Sequence, residues 1–100
     1  MLVTFIISMI HSFKHRGLKR LYENGDRSRI NPLQIDKIEL ILADLDAAET
    51  ILHMHRPGYR LHELKGRLTG RYAIDVSGNW RIVFRFQAGR AYELDLMDYH

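Results

Sequence analysis

Cysteine is absent from this chain. That excludes a disulfide framework and any thiolate metal site, and it fits the cytosol. Proline occurs at only two positions, Pro32 and Pro57, and each stands where a helix start or a turn wants one. Long hydrophobic runs are missing too. Met1 to Ile7 is apolar but far too short to span a bilayer, and no basic stretch or small-residue cleavage motif accompanies it. Neither a membrane anchor nor a signal peptide is expected. There is no internal repeat, linker or low-complexity tract. What remains is a chain of 100 residues, 46% hydrophobic, enough for one domain with one small core and too apolar for disorder.

Acid is scarce in one half and base in the other. Between Ile35 and Leu52 the carboxylates Asp36, Glu39, Asp44, Asp46 and Glu49 face only Lys37. Between His53 and Arg90 the cations Arg56, Arg60, Lys65, Arg67, Arg71, Arg81, Arg85 and Arg90 face only Glu63 and Asp75. The second segment has the charge of a polyanion footprint, with Arg56, Arg60, Arg67, Arg71 and Arg85 as candidate RNA contacts.

Periodicity divides the chain into helices and then strands. Ile10 to Phe13 reads as a short opening strand. From Lys14 to Asn24 the apolar positions Leu18, Leu21 and Tyr22 recur at helical spacing, and Asn24-Gly25 supplies a left-handed stop. Asn31, Pro32 and Gln34 form a capping-box start for a second helix. Its stripe is Ile35, Ile38, Ile41, Leu42 and Leu45, ending near Ala48. After the turn at Pro57-Gly58 and a basic loop between Gly66 and Gly70, the period becomes two. Tyr72, Ile74 and Val76, then Trp80, Ile82, Phe84 and Phe86, then Tyr92, Leu94 and Leu96 are the apolar positions of three strands. Ser77-Gly78-Asn79 and Gln87-Ala88-Gly89 are the hairpin connections. The fold class is α+β, in the order β-α-α-β-β-β, with an αα-hairpin packed on one face of a mainly antiparallel sheet and a polar face open to solvent. Three-residue loops would set Asp75 opposite Arg81 and Arg81 opposite Asp95, holding that guanidinium between two carboxylates. Trp80 is expected in the core.

Three residue types in the second half suit phosphodiester chemistry. Cutting RNA without a metal needs a base for the 2′-hydroxyl, cations for the non-bridging oxygens and an acid for the leaving 5′-oxygen. Imidazole suits either proton role, since its ordinary pKa is about 6.5. His62 and Lys65 flank a short loop, Arg81 lies in the meander, and His100 ends the last strand. Alternation sends Tyr99 to the face of Asp95, and Asp98 and His100 to the other. The pair His53 and His55 lacks further ligands, so no metal site and no cofactor is expected.

The run Tyr59-Arg60-Leu61-His62-Glu63-Leu64-Lys65-Gly66 resembles the HigB toxins, which belong to the RelE/ParE superfamily of type II toxin–antitoxin systems. So do Gly78 to Phe86, Asp98-Tyr99-His100 and Met9 to Leu18, four strings in register from Met9 to the end. The resemblance implies a RelE-like domain over 9–100 with 1–8 as an extension. It implies cleavage of mRNA in the ribosomal decoding site. The family's catalytic residues fall on His62, Lys65, Arg81, Asp98, Tyr99 and His100, none substituted. It also implies a cognate HigA-like helix-turn-helix antitoxin, contact with DNA only through the antitoxin complex, and a cytoplasmic place of action away from membranes. The alternative on the same scaffold is a ParE-like DNA gyrase inhibitor, which has no need for His62, Lys65 and a terminal Tyr-His together. A passive RNA-binding module is the third reading.

Overall fold

The computed structural model describes residues 9–99. The expected extension 1–8 and the side chain of His100 lie outside the described residues. Helix α1 (Arg16–Asn24) starts two residues later than its periodicity predicts, because His15 caps it: the Leu18 N–H donates to His15 Nδ1 at 3.1 Å. The capping ring lies over Gly17, where a Cβ would meet the His15 Cε1 at 2.8 Å. Gly25, at φ +67°, ends the helix in the left-handed conformation expected of it.

Helix α2 (Pro32–Ala47) is capped by Asn31, which accepts the Leu33 N–H at 3.0 Å. The capping box is only half formed. Gln34 does not reach back to Asn31; it is buried, and its Nε2 donates to Ser77 Oγ at 3.0 Å. Packing against the sheet gave that amide a better partner than solvent-exposed backbone. The stripe Ile35, Ile38, Ile41, Leu42 and Leu45 is buried as read. Leu33, 93% exposed, and Leu40 lie on the outer face.

Four antiparallel strands follow, paired in the order β1-β2-β3-β4: β1 (His62–Glu63), β2 (Tyr72–Ser77), β3 (Trp80–Gln87) and β4 (Arg90–Asp98). The opening segment makes isolated parallel bridges to β4, Ile10 with Ala91 and Phe13 with Leu94. Both helices pack on one face of the sheet. The core joins Leu18 and Leu21 of α1 and the α2 stripe to Ile74, Ile82, Phe84 and Leu94.

The meander's register differs from its expectation in two places. Ser77 pairs with Trp80 and Gln87 with Arg90, so both connections are two-residue turns. Ala88 at φ +50° and Gly89 at φ +75° give the second the double positive φ of a type I′ turn. Between Val83–Asp95 and Arg85–Tyr92, β4 then inserts an extra residue, with Glu93 at φ +54°. This bulge moves Tyr92 from the predicted apolar face to the other, where its ring lies 4.8 Å from that of His11. Asp75 does face Arg81, but Met97 rather than Asp95 faces Arg81 from the other side. Trp80 is 36% exposed rather than core: it is the first residue of β3, next to the two-residue turn, and pairs with Asp98 at the end of β4.

Removing the α2 cap tests this account of the helix start. Asn31→Ala should cost about 1 kcal/mol and Asn31→Gly only a few tenths. Urea unfolding should show this as a lower midpoint at unchanged slope. Equal losses for the two variants would mean that Asn31 acts by something other than its cap.

Candidate active site

Residues directly opposite in antiparallel strands share a face, so the register assembles the site. On the face away from the helices one row runs His62, Ala73, Val83, Asp95. The next runs Asp75, Arg81, Met97. This face is not fully open: Val83 is only 1% exposed. The 3₁₀ turn Gly66–Leu68 folds over it, so that Lys14, Leu68, Arg71, Val83, Asp95 and Met97 line one small hollow. The basic loop is therefore a roof over the middle of the sheet.

Arg81 is held on two sides. Its Nε lies 2.7 Å from Asp75 Oδ1, and its Nη1 donates to the Gly78 carbonyl at 2.8 Å and the Trp80 carbonyl at 3.1 Å. The Nη2 donors have no partner among the described residues. The guanidinium is fixed through Nε and Nη1 and offers the two N–H donors of Nη2, which pre-sets it for a phosphate oxygen. Asp75 Oδ2 also takes Arg60 Nε at 3.5 Å.

His62 is exposed on β1, and its Nδ1 donates to the Arg60 carbonyl at 2.8 Å. A carbonyl only accepts, so this bond fixes the tautomer and leaves Nε2 of the neutral ring as an acceptor. His62 and Arg81 are not in contact. They sit two strands and two residues apart, on the order of 12 Å between Cα atoms by strand spacing and rise, which leaves room for a nucleotide between them. Lys65, exposed at the start of the 3₁₀ turn, has no partner among the described residues. Tyr99 is half-buried, its N–H donates to the Asn79 carbonyl at 2.8 Å, and alternation carries it to the face of Arg81 and Met97. Asp98 pairs with Trp80 and belongs to the opposite face.

The five candidate RNA contacts separate. Arg56 stands apart from the others: its Nε lies 3.2 Å from Asp44 of α2 on the helix side. Arg60 and Arg67 are exposed around β1 and the roof. Arg71 Nη1 and Arg85 Nε both lie 3.0 Å from Glu93 Oε2. Sequence reading missed Glu93, since nothing in a glutamate announces a positive φ, and it missed Leu68, whose apolar side chain sits in a basic loop. Asp75 was legible from its place opposite Arg81. Among the described residues no group of three or more His, Asp and Glu is placed to hold a metal ion, and no helix is long and apolar enough to cross a membrane.

The comparisons with known proteins meet this geometry. The family described as RelE-like toxin of type II toxin-antitoxin system HigB matches residues 11–100. The chain is 46% identical over 92 residues to the Endoribonuclease HigB of Proteus vulgaris, covering 92% of this chain and all of that protein. It is 33% identical over 86 residues to Toxin HigB-1 of Vibrio cholerae serotype O1, covering 83% of this chain and 90% of that protein. Among solved structures, the YoeB-YefM complex from Staphylococcus aureus contains a chain that matches with a TM-score of 0.56 at 18% identity. That match covers 91% of this chain and 97% of the other and speaks for the fold alone. The chain belongs to the HigB-like toxins, the RelE-like toxins of type II toxin–antitoxin systems. An antitoxin is therefore its partner.

Glu93 gives the face a pH signature. Burial alone pushes its carboxyl up, but the Arg71 charge and the Arg85 hydrogen bond outweigh burial and hold it below its ordinary value. A lowered carboxyl contributes stability that is fully present above the unfolded-chain value and is lost as pH falls through the folded one. Glu93→Gln should therefore show a shallower loss of stability on the acid side than the wild type, by urea unfolding across pH. Superimposable acid limbs would remove Glu93 from this account.

Proposed function

We propose that this chain is a ribosome-dependent mRNA endonuclease that cuts by 2′-hydroxyl attack. The observation that carries the reading is one face holding both His62, with Nε2 left as an acceptor, and Arg81, with Nη2 left as a donor. His62 Nε2 takes the proton of the 2′-hydroxyl, and the oxygen attacks the adjacent phosphorus. Arg81 and Lys65 meet the charge that grows on the non-bridging oxygens. The bond to the 5′-oxygen breaks as His100 or Tyr99 protonates it, with Asp98 orienting that end. The products are a 2′,3′-cyclic phosphate and a 5′-hydroxyl, and no metal or cofactor enters the balance.

Arg60, Arg67, Arg71 and Arg85 follow the RNA backbone around this centre, and Arg56 lies further off. The antitoxin is a HigA-like helix-turn-helix protein, through which alone the complex reaches DNA, and the toxin acts in the cytoplasm. The relatives' names, Endoribonuclease HigB and Toxin HigB-1, support the activity. The acting unit is residues 9–100. A chain begun at Met9 should fold with unchanged stability and still arrest growth, and loss of folding on that truncation would make residues 1–8 part of the domain.

End groups on mRNA cut in programmed ribosomes test the chemistry. Wild type should leave 5′-hydroxyl and cyclic or 3′-phosphate ends. Arg81→Ala should lower the rate by about 10²–10³ with the same ends. A chain lacking His100 should be slowed as well. Ends bearing a 5′-phosphate and a 3′-hydroxyl would sink the mechanism. Full toxicity of Arg81→Ala at matched expression would take Arg81 off the phosphate.

A further inference from the structure

We infer that the outer face of α1 is a second RNA-docking surface, built to lie along the phosphate backbone of a structured RNA outside the cutting face. The inference rests on the ribosome-dependent reading and extends it. Arg16, Lys19 and Arg20 stand at helical spacing on one stripe of α1, all exposed, while Gly17, Leu18 and Leu21 on the opposite side are buried. Arg16 and Lys19 form no ion pair among the described residues, and Arg20 reaches Asp26 only at 3.9 Å. Several arginines elsewhere are bound to carboxylates at short range: Arg27 to Glu39 at 2.7 Å, Arg71 and Arg85 to Glu93 at 3.0 Å, Arg81 to Asp75 at 2.7 Å. Arg29, Arg67 and Arg90 form no ion pair among the described residues, but none of them belongs to a helical stripe of cations as Arg16, Lys19 and Arg20 do.

The charge order on α1 is also the reverse of what helix stability asks. The first turn carries no acid and the last carries no base, while Arg16, Lys19 and Arg20 lie toward the N-terminal end and Glu23 near the other. Cations at the positive end of the helix dipole are unfavourable, so this arrangement works against the helix unless an anion covers it. The N–H groups are not the receptor, since His15 caps the turn; the side-chain stripe is.

The patch fits a polyanion better than a protein. One surface hollow on α1 is lined by Arg16, Lys19, Arg20, Glu23 and Asn24, with no apolar or aromatic side chain to anchor an interface; Phe13 and Tyr22 line a separate hollow. It also continues to the cutting face. Lys14 precedes α1 at the edge of β4 and lines the hollow beneath Leu68 with Arg71 and Asp95. Cations thus run from the sheet, around its edge, and along the helix.

The test compares wild type with Arg16→Ala/Lys19→Ala/Arg20→Ala for binding to purified ribosomes and to a plain RNA duplex, each over a range of salt. Each lost phosphate contact should lower the log–log salt slope by about 0.9, so the triple variant should lose roughly two to three units of slope and bind at least tenfold more weakly near physiological salt. Its melting temperature should stay level or rise, because the removed charges oppose the dipole. Lys19→Glu alone, if the triple variant unfolds, should still shift the slope on both probes. Unchanged slopes on ribosomes and duplex would overturn the inference. So would retained RNA binding with lost capture of the antitoxin, which would make the stripe a protein interface. If the wild type itself does not bind ribosomes, it is the ribosome-dependent reading that fails, and the duplex arm still decides whether α1 docks RNA.

Discussion

Glu93 occupies a left-handed backbone conformation in the middle of β4, at φ +54°, where a glutamate costs about 1–3 kcal/mol. That one turn of the chain sets the rest of the sheet. The bulge brings Met97 opposite Arg81, moves Tyr92 off the core face and sends Asp95 into line with Val83 and Ala73. The strain is offset locally. The Glu93 N–H donates to Ser12 Oγ at 2.9 Å, which ties the opening segment to β4, and its carboxylate collects both Arg71 and Arg85. Without the bulge the strand would continue its alternation, and the row that contains Arg81 would be a different row.

Much of this fold was legible because the signals were local and strong. Gly25 ended α1, Asn31 and Pro32 began α2, and a helix stripe and three alternating runs gave the layers. The errors arose where a tertiary contact outbid a local rule. Gln34 was read as a capping partner but bonds Ser77 across the core. His15 is outside the usual set of caps, and nothing short of the folded chain shows its ring over Gly17. The register was right across β2 and β3, where Asp75 meets Arg81. It was wrong across β3 and β4, because turn length and one bulge each shift it by a residue.

For the site, sequence gave residue types and the structure gave their constraints. His62, Lys65 and Arg81 could be picked from a basic segment and a family resemblance. That His62 is bonded through Nδ1 to Arg60, and that Arg81 is held through Nε and Nη1 with Nη2 left over, are facts of folding. The charge reading had a blind spot of its own. Counting bases between His53 and Arg90 drew attention to arginines that the structure then pairs with Asp44, Asp75 and Glu93. The cations of α1, of which only Arg20 has a carboxylate within reach, at 3.9 Å from Asp26, lie outside that basic segment.

The bond between Gln34 and Ser77 ties α2 to the hairpin whose Gly78 carbonyl grips Arg81. Asp75, which grips the same guanidinium, is itself fixed by its N–H to the Tyr59 carbonyl at 2.8 Å, and Tyr59 is buried with its hydroxyl on Asp44 of α2. Both hands on Arg81 therefore lead back to one helix. An intermediate in which the meander has formed but α2 has not docked would have the arginine and no fixed place for it. Cutting power would then appear late and abruptly in folding, and a half-folded toxin would be a harmless one.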